Sequence, residues 1–230
     1  MSQSLHFNRR LALLGIGAAG SVTLVPGIAR AQGLGLSSIL GTATDSALDK
    51  LAKPGAFYND EEVRIGLPML GNLGGTGGLL GSVMGAAGQL GGIPGLDGLV
   101  RGINDAAGVA AGEAKPIFRE AIDGLSFSDA PGIIRESDGG TQYLRRSSND
   151  RLHSKLNPLI DSALGDAGIH SQVDKLSAEN DLVRQAGLNR ESINKSVTDQ
   201  GLDGIFTYIG NEEKALRKNP LGGLGDLLGN

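Results

Sequence analysis

The chain has 230 residues, of which 40% are hydrophobic, 20% charged and 3% aromatic, with 38 glycines and neither cysteine nor tryptophan. That length fits one ordinary domain, with or without tails, and the missing cysteine excludes disulfides, thiolate metal sites, iron–sulfur clusters, a cysteine nucleophile and a lipoprotein anchor. Twenty-one basic against 25 acidic residues give a net charge of −4, which argues against general nucleic-acid binding.

Residues 1–31 read as a signal peptide. Arg9 and Arg10 precede an uncharged stretch, Leu11 to Val25, which Pro26 closes. Ala29-Arg30-Ala31 then offers small residues at the two positions a signal peptidase requires. Cleavage after Ala31 leaves Gln32 first and predicts a periplasmic protein. The paired arginines and the mildly apolar, Gly-dotted segment suggest twin-arginine export. The motif lacks its usual Phe, so the general secretory route is the alternative. An uncleaved anchor is a third reading, weakened by Gly15, Gly17, Gly20, Ser21, Thr23 and Pro26. Removing residues 1–31 takes away three arginines and no acid, leaving 199 residues with a net charge of −7. Such a chain is expected to have no stable membrane span and no electrostatic attraction to anionic lipid.

One helical domain is predicted over 34–220. Leu36, Ile39, Leu40, Ala43, Ala47, Leu48 and Leu51 fall at helical spacing over 34–53, and Pro54-Gly55 ends that helix. The segment AFYNDEEVRIGLP reads as an extended linker or short strand, with Phe57 and Tyr58 plugging a core edge. Residues 66–102 are Gly-rich, yet apolar spacing predicts helices at 78–90 and 95–111, each Gly weakening them by about 1 kcal/mol relative to Ala. Gly71 to Gly78 lacks the Lys-Ser/Thr of a phosphate loop. Lys115-Pro116 opens a short helix with Ile117, Phe118, Ala121, Ile122 and Leu125 inward, and Ser128 is placed to cap a following segment.

Gly139-Gly140-Thr141 starts a long helix to Asp166 with Leu144, Leu152, Leu156, Leu159, Ile160 and Ala163 on one side and Pro158 inside it. Residues 169–183 form another amphipathic stretch. Asn189 or Ser192 caps a last long helix carrying Ile193, Val197, Leu202, Ile205, Phe206 and Ile209, and 211–217 continues as a short helix. The tail, 221–230, reads as frayed. No run of alternating β-branched residues supports strands. The fold predicted is all-α, a bundle of about seven short-to-medium helices.

Three segments occur in order: AKPGAFYNDEEVRIGLP, then GEAKPIFREAIDGLSFSDAPGIIRESDGGTQYLRRSSNDRL, then VTDQGLDGIFTYIGNEEKALRKNP. Together they resemble the bacterial family catalogued as domain of unknown function 4197, over about residues 36–228. The last two segments carry its most specific motifs. The resemblance implies an exported, helical, single-domain protein and no particular activity. The chain departs from the pattern in its glycines around 71–98 and in the ending LGGLGDLLGN.

The residues with the most chemical potential lie in the second half. Gln142, Tyr143, Arg145 and Arg146 form a dense polar cluster. Either Arg and Tyr bind an anionic group where Gly140 and Thr141 expose helix N–H groups, or Tyr143 packs inward and Arg145 or Arg146 pairs with an acid of the last helix. Glu212 and Glu213 form a carboxylate pair suited to acid–base work. Adjacent helical residues point about 100° apart, however, so an i,i+4 pair of Glu213 with Arg217 is the simpler reading. His153 is placed near Asp150 or Asn157. No metal and no cofactor are expected, and no oxyanion hole or nucleophile elbow accompanies Ser147-Ser148.

These features favour a non-enzymatic module that binds an envelope protein or a small ligand. The alternatives are a hydrolase or transferase on an envelope polymer, using Glu212 or Glu213 with Arg145, and a peripheral membrane-associated bundle using 66–102 or 221–228.

Overall fold

The computed structural model describes residues 26–68, 95–126, 136–185 and 187–219, with side chains from Gly35 onward in the first stretch. Among these residues the protein is all-helical. The helices are α1 (Pro26–Leu51), the single turn α2 (Ala56–Asn59), α3 (Leu96–Glu113), α4 (Lys115–Asp123), α5 (Gly139–Asp166), α6 (Ile169–Glu179), α7 (Asp181–Gln185) and α8 (Arg190–Lys218). The predicted helix at 78–90, the Ser128 cap, the segment 1–25 and the tail 221–230 lie outside the described residues.

Helix α8 is the centre of the packing and lies most extensively against α1 and α5. Its start is fixed locally. Asn189 accepts from Ser192 N at 2.9 Å while Ser192 Oγ accepts from Asn189 N at 3.0 Å, so the two candidate caps act as one reciprocal box. The helix then runs unbroken to Lys218, absorbing the predicted separate helix at 211–217. Gly204 lets it approach the segment after α1 closely: a Cβ there would lie 3.1 Å from Phe57 Cε1 and 3.2 Å from Val63 Cβ.

The core is aliphatic. Leu40, Leu48, Leu51, Leu99, Leu144, Leu152 and Leu164 are fully buried, joined by Phe57 and Phe118. Each such side chain contributes about 1.5–3 kcal/mol. Phe118 of α4 meets Phe206 of α8 edge-on, ring centroids 6.1 Å apart. The periodicities read from sequence hold among the described residues, with Ile39, Ile117, Leu125 and Leu159 only half-buried. Pro158 lies inside α5 on its exposed side.

The segment 60–68 is neither a strand nor a free linker. Val63, Ile65 and Leu67 are buried, and two amide side chains satisfy its backbone. Asn104 of α3 accepts from Ile65 N and donates to Ile65 O, both at 2.9 Å. Gln200 of α8 accepts from Gly66 N at 3.0 Å and donates to Gly66 O at 3.1 Å. Amide groups thus stand where a neighbouring strand would, so apolar residues sink into a helical core without orphaned peptide groups.

Candidate functional site

Glu213 organises one end of the bundle. Its side chain is fully buried, at 0% exposure, although it is a carboxylate. Oε1 accepts from Gly140 N at 2.9 Å, and Oε2 accepts from Thr141 N and Thr141 Oγ1, both at 2.7 Å. Arg217, one turn further along α8, donates to Oε1 from Nε at 2.9 Å and from Nη2 at 2.6 Å. Gly140 and Thr141 form the first turn of α5, whose N–H groups have no acceptor within their own helix. Glu213 therefore caps α5 from another helix, occupying the place where a helix start attracts an anion. Gly140 is part of the fit, because a Cβ there would lie 2.7 Å from Glu213 Oε1.

Asp138, the residue before α5, makes no cap bond of its own. It accepts from Gln142 Nε2 at 3.0 Å and pairs with Lys214 at 2.9 Å. The Lys214 ammonium holds its carboxyl below the usual range. Glu212 turns the other way, toward α1, where Ser46 Oγ donates to it at 2.7 Å and Lys50 pairs with it. Three consecutive residues of α8 thus tie it to three places: Glu212 to α1, Glu213 to the start of α5, Lys214 to the residue preceding α5.

The predicted cluster therefore divides. Gln142, Glu213 and Arg217 gather at the start of α5. Arg145 instead pairs with Asp203 of α8, its guanidinium 5.3 Å from the Phe206 centroid. Arg146 is exposed and, among the described residues, reaches Gln142 at 3.5 Å. Tyr143 is half-buried rather than in the core, and its hydroxyl donates to Ser126 O at 2.9 Å. The anion expected beside Gly140 and Thr141 is present, but it is the chain's own Glu213, accompanied by Arg217 and not by Arg145 or Tyr143. His153 sits 2.9 Å from Asp199 of α8. His170 lies 3.5 Å from Asp161, which Arg190 holds in a two-oxygen grip. No group of three or more metal-ligating side chains occurs among the described residues.

A second polar corner, at α2 and α3, escaped the sequence reading. Phe57 is buried as expected, whereas Tyr58 is half-buried and carries two arginines. The Arg64 guanidinium carbon lies 5.1 Å from the Tyr58 ring centroid and that of Arg101 lies 4.3 Å from it. Arg64 Nε also donates to Tyr58 O. Next to them Tyr208 of α8 donates to Asp60 at 2.6 Å, and burial together with Asp60 pushes its phenol up to about 12. Arg64 and Arg101 lie 37 residues apart (101 − 64), so no local spacing in the sequence connects them.

A family model described as "protein of unknown function (DUF4197)" matches residues 29–230. The chain belongs to this family. No curated protein and no solved structure matches it. The DUF4197 match covers both polar corners and all the described helices except the first residues of α1. No described helix is long and apolar enough to cross a membrane.

Proposed function

We propose that this DUF4197 protein is exported to the bacterial periplasm and works there by binding, not by catalysis. The observation that carries the second half is the state of its adjacent carboxylates. Glu213 is buried and bonded to five donor atoms, and Glu212 faces α1. Acid–base work on one bond needs both groups to reach a common substrate, and these two diverge. Arg145, required by the hydrolase reading, is paired with Asp203. Export is supported by the order of Arg9-Arg10, the uncharged stretch and Ala29-Arg30-Ala31.

Native mass spectrometry of the untagged protein released from its own periplasm tests both halves. The expected species begins at Gln32 and carries added mass from a partner or ligand. Retention of residues 1–31 in the cell interior would refute export. A bare monomer that turns over envelope polymer would refute binding.

A further inference from the structure

Nine arginines have described side chains, and six of them pair with carboxylates. Of the other three, Arg64 and Arg101 converge on one ring, that of Tyr58. Arg101 has acids one turn away on α3 in both directions, Asp97 and Asp105, and pairs with neither. Both cations lie within cation–π range of the ring, a contact that does not consume their N–H donors. Arg64 commits Nε to Tyr58 O, and its two Nη groups have no acceptor among the described residues. The five N–H donors of Arg101 have none among the described residues either. Residues 69–94, the stretch between the two sides of this corner, contain no acidic residue to neutralise them.

We propose that Arg64, Tyr58 and Arg101 form a binding site for a phosphate group. Two guanidinium forks match the oxygens of a phosphate by paired hydrogen bonds, and their two charges match a dianion better than a single carboxylate. The overall charge of −4 opposes phosphate capture, so the affinity is local to this pair. The proposal rests on the binding reading above and names a ligand class for it. A free phosphate and a phospholipid headgroup present the same oxygens.

The chain has only three tyrosines, Tyr58, Tyr143 and Tyr208, so ring-labelled tyrosine gives a three-signal NMR spectrum. Inorganic phosphate, titrated at constant ionic strength with chloride as reference, is expected to shift the Tyr58 signal saturably and leave Tyr143 unmoved. Arg101→Ala is expected to weaken the apparent affinity by about tenfold, the size of one lost charge-assisted hydrogen bond. Arg101→Lys, which keeps charge but not the fork, recovers only part of it. Vesicles containing phosphatidate, compared with phosphatidylcholine alone, form the second arm. Loss of the Tyr58 signal on phosphatidate vesicles, with no response to inorganic phosphate, assigns the site to lipid headgroups. Absence of a response in both arms, or a response that survives Arg101→Ala, overturns the proposal. The two readings fail separately: a silent Tyr58 alongside bound mass in the periplasmic protein removes this site and keeps the binding function.

Discussion

Glu213 and Tyr58 mark two corners where N–H donors converge, and the corners differ in what supplies the anion. At the start of α5, backbone N–H groups and Arg217 surround a carboxylate of the chain itself. At the Tyr58 corner, Arg64 and Arg101 converge and no described carboxylate answers them. The first arrangement is closed and buried, so its energy goes into the fold. The second is partly exposed, and its remaining N–H donors have no acceptor among the described residues. Residue type does not separate the two, because Arg and helix residues serve both. Burial and the presence of an internal acceptor do.

The comparison is tested most severely by emptying the first corner. Glu213→Ala leaves the Gly140 and Thr141 donors and the Arg217 charge without an acceptor, and is expected to cost about 3–5 kcal/mol in urea unfolding. A loss below about 1 kcal/mol, the scale of an exposed ion pair, would mean the cradle is not structural. Gly140→Ala sharpens the same point. Alanine in an exposed helix gains about 1 kcal/mol over glycine. Here the added Cβ meets a carboxylate already fixed by its other bonds, so a net loss of about 1–3 kcal/mol is expected. A net gain would show that Glu213 moves aside.

At the second corner the expected effects are smaller. The Tyr208 phenol has its pKa raised from 10.0 to about 12 in the folded state. Its contribution to stability is therefore fully present below pH 10 and is lost as pH rises toward 12. Tyr208→Phe is expected to flatten that part of the stability profile, measured by urea unfolding between pH 9 and 12. An unchanged slope would remove the Asp60–Tyr208 bond as its cause. Arg101→Ala should change stability least, within about 0.5 kcal/mol, because its N–H donors hold no acceptor among the described residues. A large loss there would make the Tyr58 corner a second structural node and bring the two corners together.

Much of the helical framework was legible because its causes are local. Gly139 and Asp166 bound α5 as read, Asn189 and Ser192 cap α8, and Lys115-Pro116 opens α4. Periodic leucines give the buried faces of α1, α3 and α5. The segment 60–68 was half legible: Val63, Ile65 and Leu67 alternate as a strand does, and all are buried. What resolves their peptide groups, Asn104 and Gln200, lies 39 and 134 residues away. In the candidate cluster, the Glu213–Arg217 pair was visible at i,i+4 spacing. The link from Glu213 to Gly140 was not, because it closes a loop of 73 residues.

The sequence by itself determined helix positions, the absence of cysteine chemistry, the acidic balance and the resemblance that the DUF4197 match bears out. Each depends on residues that lie near one another in the chain or on composition, where spacing maps directly onto a helix face. Only the tertiary structure decided which acid serves which donor. It buried Glu213 under α5, turned its neighbour Glu212 to α1, and brought Arg64 and Arg101 to one ring. These are choices among many possible charge partners, and they are settled by how helices pack, since a carboxylate enters a core only where donors from distant segments meet it.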